Sequence, residues 1–108
     1  MDLPTLSDEE IAVLVQNGNK DYFGELIIRF QPKIKRYATR FFRDKEDITD
    51  MVQDVFIKAY MNLQSYNPQM RFNPWIYRIA HNEFVNKLAW KSIRKFVQID
   101  SNTLEDFH

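Results

Sequence analysis

The chain has 108 residues, 44% of them hydrophobic and 28% charged, with two glycines, no cysteine and a formal net charge of zero. This length predicts one domain with a real core, and so little glycine favours helices over a turn-rich β-sandwich. The lack of cysteine excludes disulfides and thiolate metal sites, and no apolar run is long enough to span a membrane, so we expect a cytoplasmic protein.

The zero net charge conceals blocks of opposite sign. Residues 1–28 hold one lysine and six acidic residues, whereas residues 29–43 hold six basic residues and no acid. Residues 71–95 are again basic, with Glu83 as the one acid. Alternating blocks predict several surfaces with different partners, although a solvated face explains any single block equally well.

Capping signals and apolar periodicity predict the first two helices. Ser7 and Glu10 match a capping box, so the first helix should begin at Ser7 and end near residues 17–18. Residues 20–42 keep the spacing of one buried helix face, and Pro32 should kink or break that helix. Five basic residues share its other side: Arg29, Lys33, Arg36, Arg40 and Arg43. This basic ridge is either a solubilising face or a set of phosphate contacts.

The third helix should follow Asp44, a good N-cap, with a core stripe from Ile48 to Leu63. The opposite side mixes acids and an amide with two apolar residues: Asp47, Asp50, Gln53, Asp54, Ile57 and Met61. An outward face should be polar throughout, so this mixture indicates a protein-binding surface.

A loop and a fourth helix complete the chain. Residues 63–73 have no period and contain turn chemistry at Asn67-Pro68, which predicts a loop. Asn73 and Pro74 then supply an N-cap and a first-turn proline for a helix that should run to about Lys95.

The fourth helix has two apolar arcs. We assign one to the core: Ile76, Tyr77, Ala80, Phe84 and Leu88. The opposite arc comprises Trp75, Arg78, Ile79, Asn82, Asn86, Ala89 and Trp90. Aromatic, amide and guanidinium groups together favour base stacking and base-edge hydrogen bonding. The alternative is that Trp75 and Trp90 simply cover the hydrophobic core.

The sequence does not support catalysis. His81-Asn82-Glu83 matches the H-x-E of zinc deaminases, but that metal site also needs two cysteines. His108 is the only other histidine, and two glycines cannot build a phosphate-cradling loop. We therefore expect no enzyme, no metal site and no cofactor.

Two segments together resemble region 2 of bacterial sigma factors of the extracytoplasmic-function (ECF) group. They are DKEDITDMVQDVFIKAY (residues 44–60) and FNPWIYRIAHNEFVNKL (residues 72–88). The likeness spans about residues 7–95. It implies an all-α bundle of about four helices over residues 1–95, with an ordered loop between the third and fourth helices. Residues 96–108 would then begin an interdomain linker.

The resemblance implies a transcription-initiation module with two binding surfaces. Core RNA polymerase, through its β′ coiled coil, would bind the acidic helix at Asp47, Asp50, Gln53, Asp54 and Ile57. The non-template strand of the melted promoter −10 element would bind at Asn62, Tyr66, Arg71, Phe72, Trp75, Arg78, Ile79, Asn82, Asn86 and Lys87. An anti-sigma factor is a further expected partner. Independently of the resemblance, Tyr66 lies outside the helical core stripes, so we expect it to lie outside the core.

The chain departs from the family pattern in three ways. Its fourth helix ends in a milder basic tract, and its loop region carries Pro68 and Pro74. The sequence also stops in an acidic tail, where complete factors of the family continue into a domain that reads the −35 element. Two other functions remain open. One is a sigma-like adaptor or decoy that binds protein but not DNA. The other is a helix-turn-helix repressor, which the long loop before Asn73 fits poorly.

Overall fold

The computed structural model describes residues 5–105, and the side chains of residues 5–97. It contains four α-helices: α1 (Asp8–Gln16), α2 (Phe23–Ala38), α3 (Lys45–Asn62) and α4 (Phe72–Glu105). Short 3₁₀ turns lie before α2 (Lys20–Tyr22) and after α3 (Leu63–Ser65). No strand occurs among residues 5–105, and the predicted all-α bundle with a loop between its third and fourth helices is confirmed.

The cap of α1 forms as predicted. The backbone N–H of Glu10 donates to Ser7 Oγ at 3.0 Å, and the N–H of Ser7 donates to Glu10 Oε1 at 3.1 Å. The helix ends at Gln16, and Gly18 then takes a φ of +103°, where a side chain would be strained. This turn reverses the chain toward α2.

Helix α2 is shorter than predicted and is not broken at Pro32. It begins at Phe23 and ends at Ala38, with Pro32 inside it. Proline removes the hydrogen bond to the carbonyl of residue 28. Pro32 and Ile28 both face solvent, where water can satisfy that carbonyl.

One face of each helix forms the core. Its fully buried large side chains come from all four helices and the turn after α3: Ile11, Leu26, Phe30, Ile34, Val55, Leu63, Phe72, Ile76 and Phe84. The predicted stripe of α3 is confirmed. Leu88, assigned to the core, is 36% exposed instead. It lies just before Lys91, which pairs with Asp47 in the first turn of α3, so the bundle ends there.

Both predicted ends of α4 are corrected. The helix begins at Phe72, ahead of the expected N-cap Asn73, because Phe72 is buried and its N–H donates to Glu9 Oε2 of α1 at 2.8 Å. It continues past Lys95 to Glu105; residues 106–108, also assigned to the linker, lie outside the described residues. At about 1.5 Å per residue, α4 spans ~51 Å and projects from the bundle. None of the described helices is long and apolar enough to cross a membrane.

Candidate functional site

A cavity of about 510 Å³ opens between the loop after α3 and the first turns of α4. Its lining residues are Ser65, Tyr66, Asn67, Met70, Arg71, Pro74, Trp75 and Arg78. Tyr66, Arg71, Trp75 and Arg78 are among the ten residues predicted to bind DNA, so the structure gathers these four around one opening. An aromatic wall with two guanidinium groups at its edge can hold a flat, anionic ligand.

Three aromatic side chains form a cluster at the cavity, and two of them, Tyr66 and Trp75, line it. The ring of Tyr66 lies 5.4 Å from that of Phe72 and 5.2 Å from that of Trp75, between centroids. Phe72 and Trp75 are 5.4 Å apart. Trp75 is half-buried, so it packs against this cluster and still presents a surface to the cavity.

The expectation that Tyr66 lies outside the core is wrong. Its side chain is 3% exposed, and its hydroxyl donates to the carbonyl of Met70, which folds the loop back over the ring. Burial, reinforced by Glu9 and Asp8, raises the pKa of Tyr66 to about 12, so the hydroxyl remains a neutral donor. Phe72, also expected to bind DNA, is fully buried. Phe72 therefore supports the wall from behind, and Tyr66 contributes only the small exposed part of its ring.

Helix α1 braces the loop at both ends. Gln16 Nε2 donates to the carbonyls of Leu63 and Tyr66, each at 2.8 Å, and Glu9 accepts from Phe72 at the start of α4. Arg29 of α2 holds α1 in turn through Asp8. Sequence reasoning missed this brace because each contact to the loop joins residues at least 47 positions apart, and no local pattern marks such pairs.

We predict that Gln16→Ala loosens the loop without unfolding the bundle. The substitution leaves two partly buried carbonyls without their donor, which should cost about 1–3 kcal/mol of stability. Amide hydrogen exchange should accelerate at residues 66–72, and much less at core positions of α3. Gln53→Ala, an exposed glutamine of α3, is the control. Unchanged exchange in the loop would show that the brace is dispensable.

The remaining predicted DNA-binding residues do not line the cavity. Asn82 and Asn86 are exposed on the side of α4 that carries Trp75 and Arg78, at helical spacing from them. The half-buried Ile79 lies on the same side. Two others, Asn62 and Lys87, stand apart from this cavity. Asn62 donates to the carbonyl of Lys58 at 2.8 Å, and Lys87 lies beside Trp90. Trp90 is 68% exposed, so it does not cover the core.

The acidic side of α3 forms a second surface. Asp50, Gln53 and Asp54 are exposed, and Ile57 and Met61 beside them are 57% and 73% exposed. These last two also border an apolar groove of about 230 Å³ between α2 and α3. An acidic edge next to an apolar groove suits a basic, amphipathic helix.

Asp47 differs from the other predicted members of this surface. It is half-buried and forms an ion pair with Lys91, whose ammonium also lies over the ring of Phe42. Asp47 therefore joins α3 to α4 and has less of its charge free for a partner.

Comparison with known proteins gives one family. The model described as Sigma-70 region 2 matches residues 26–94. The ECF RNA polymerase sigma-E factor of Haemophilus influenzae is 40% identical over 84 residues, which cover 78% of this chain and 44% of that protein. The RNA polymerase sigma-H factor of Pseudomonas aeruginosa is 36% identical over 87 residues, covering 81% and 45%. The chain thus spans less than half the length of these relatives.

Two solved structures have the same fold. One is an NMR structure of an engineered region 2 of sigmaE in complex with GTAAAA. It superposes with a TM-score of 0.79 at 35% identity, covering 87% of this chain and 97% of that one. The other is CnrH in complex with the cytosolic domain of CnrY, with a TM-score of 0.69 at 30% identity, covering 73% and 51%. The whole of α1, which braces the loop, lies before the residues that the family model matches.

Proposed function

The chain belongs to the sigma-70 region 2 family, in its ECF group, and we propose that it initiates transcription by binding single-stranded promoter DNA and core RNA polymerase. The observation that carries the DNA half of this proposal is the cavity walled by Trp75 and edged by Arg71 and Arg78. It is supported by a neighbour of the same fold that is in complex with GTAAAA.

The cavity can act by capturing a base. When a promoter opens, an unpaired base loses its stacking energy, and an aromatic wall such as Trp75 offsets that loss. Arg71 and Arg78 at the opening would neutralise the phosphates on either side of the captured base. Each captured base disfavours closure of the duplex, so binding and melting of the −10 element are one process.

Further along α4, Asn82 and Asn86 extend this surface with side-chain amides. A side-chain amide can donate one hydrogen bond to a base edge and accept another from it in the same plane. Such a pair of hydrogen bonds gives a sequence preference, which phosphate contacts lack. Lys87 carries only charge, on the flank of the helix. Its proposed role is to hold the backbone of the same strand.

We predict that Asn82→Ala reduces base discrimination more than affinity. Removing an amide that reads a base edge should cost about 1–3 kcal/mol against the preferred base and much less against the others. Arg78→Ala should instead weaken binding to every sequence alike and flatten its salt dependence. Fluorescence anisotropy on single-stranded oligonucleotides related to GTAAAA measures both effects. A uniform loss in Asn82→Ala would mean that this amide does not read DNA.

The proposed polymerase-binding surface is the exposed acidic side of α3. Asp50, Gln53, Asp54 and Ile57 would contact the β′ coiled coil, whereas the paired Asp47 should contribute less. The groove beside Ile57 would accept an apolar side chain of that coiled coil. We also propose an anti-sigma partner, supported by the complex of CnrH with the cytosolic domain of CnrY.

Charge reversal at Asp54 should weaken polymerase binding. Asp54→Lys replaces an attractive charge by a repulsive one at a basic partner, and like charges at an interface can cost several kcal/mol. Lys45→Glu, also exposed on α3, is the matched reversal and should leave binding unchanged. Pull-down with the β′ coiled coil compares the two variants. Equal binding of both would place the polymerase contact elsewhere.

The adaptor function differs from this proposal in one testable property. Binding of protein alone would not require an open cavity walled by Trp75. Binding of single-stranded DNA therefore separates the two, and loss of polymerase binding alone does not.

A further inference from the structure

A second recess, of about 260 Å³, lies between α2 and α4. Its lining residues are Lys33, Arg36, Tyr37, Arg40 and Tyr77. The rings of Tyr37 and Tyr77 meet edge to face, 5.4 Å apart, and the hydroxyl of Tyr37 lies 2.9 Å from His81 Nδ1. The aromatic floor is thus fixed by contacts across two helices, and three cationic side chains surround it.

These three cations have no carboxylate partner among residues 5–97. Lys33 and Arg40 lie over the rings of Phe30 and Tyr37, at 5.1 Å and 6.0 Å, and all three are exposed. Arg29, at the start of the basic ridge, differs because it pairs with Asp8 and Glu25. Arg29 of the basic ridge therefore has a structural role. Lys33, Arg36 and Arg40 instead form a group of positive charges that no described carboxylate neutralises, and such a group attracts anions.

The linings of the recess and of the cavity include consecutive residues of α4. Tyr77 lines the recess and Arg78 lines the cavity, and consecutive Cα atoms are about 3.8 Å apart. A DNA strand with a base in the cavity would therefore bring a neighbouring phosphate to the recess. No hydrogen bond occupies the hydroxyl of Tyr77 in the described part of the chain, so it can donate to such a group.

We propose that the recess binds a backbone phosphodiester of DNA. Arg36 and Arg40 supply paired N–H donors, which suit phosphate geometry, Lys33 adds charge, and Tyr77 supplies a hydroxyl donor. That the recess binds an anion follows from its own residues. That this anion belongs to DNA rests on the proposed function. The phosphodiester comes either from the single strand that enters the cavity or from the duplex that adjoins it.

The salt dependence of binding tests the recess. Wild type and the double variant Arg36→Gln/Arg40→Gln are titrated at several salt concentrations against two probes. One is a single strand containing GTAAAA, and the other is the same strand continued into a duplex. The slope of log affinity against log salt concentration is negative, and its magnitude should fall by about 0.7 for each phosphate of a single strand that is no longer neutralised, and by about 0.9 for each such phosphate of a duplex. A fall with both probes identifies the single strand as the source, and a fall with the forked probe alone identifies the duplex.

Lys35→Gln is the matched control. Lys35 is exposed on α2 but stands two residues from Lys33, and so on a different side of the helix, outside the recess. Its slope should equal that of wild type. The proposal is overturned if the double variant keeps the wild-type slope on both probes. It is also overturned if Lys35→Gln reduces the magnitude of the slope, per charge removed, by as much as the double variant does. Intact base discrimination with an unchanged slope overturns the recess alone, whereas failure of wild type to bind either probe overturns the proposed function as well.

Discussion

Tyr66→Ala should lower the free energy of unfolding by about 3–5 kcal/mol, as expected for truncating a buried aromatic residue. The ring is 3% exposed and packs between Phe72 and Trp75, so its loss leaves a void under the cavity wall. The variant also loses the hydrogen bond to the carbonyl of Met70. Chemical denaturation followed by circular dichroism measures the change.

Two comparisons make this result specific. Tyr66→Phe keeps the ring and loses one hydrogen bond, which should cost only about 0.5–1.5 kcal/mol. Trp90→Ala removes a larger but exposed ring and should change stability by less than about 0.5 kcal/mol. If Tyr66→Ala were as mild as Trp90→Ala, then Tyr66 would not belong to the core.

The same tyrosine predicts a loss of stability at high pH. Its pKa is raised from 10.0 to about 12, so the unfolded chain ionises first. The stability it contributes is complete below about pH 10 and is lost as the pH rises through about 12. The Tyr66→Phe variant should lose less stability over this range.

Trp75→Ala should weaken binding of single-stranded DNA about 5- to 150-fold. This range corresponds to the ~1–3 kcal/mol that stacking of one base on an aromatic side chain contributes. Trp75→Phe, which keeps an aromatic surface, should retain most of the affinity. Anisotropy with a hexamer such as GTAAAA is the measurement, made well below each variant's melting temperature because Trp75 also packs on Tyr66.

Trp90→Ala is the control for this experiment. Trp90 lies fifteen residues further along α4, about 22 Å away, where a base held in the cavity has no contact with it. Its substitution should leave hexamer binding unchanged. Equal losses in Trp75→Ala and Trp90→Ala would indicate non-specific contact along the whole helix, and the cavity would not be the binding site.

Periodicity predicted the architecture well because each helix buries one face. The capping box at Ser7 and the core stripe of α3 are local patterns, read over a few turns, and both are present. Exposed Ile57 and Met61 were also predictable, because they interrupt the polar side of an amphipathic helix. Their role in binding polymerase remains a prediction.

Errors arose where contacts distant in sequence decide the structure. Tyr66 lies in a segment without periodicity, so nothing local indicated that its ring would fill the space beside Phe72. Likewise, the carboxylate of Glu9 in α1 accepts the N–H of Phe72 at the start of α4. The residues near Asn73 contain no local capping pattern that indicates this distant contact. A cavity does lie beside the predicted loop, but two of the residues predicted there, Tyr66 and Phe72, are buried in the core. That the cavity binds DNA remains a prediction.

The most direct test of DNA capture compares the wild-type chain on single-stranded and duplex oligonucleotides of one −10-like sequence. Anisotropy should show tighter binding to the single strand, by about tenfold or more, because a duplex must first pay a few kcal/mol to unpair and unstack a base. The affinity for the single strand should also vary with the identity of its bases. Equal or tighter binding to the duplex, or no dependence on sequence, would contradict the account.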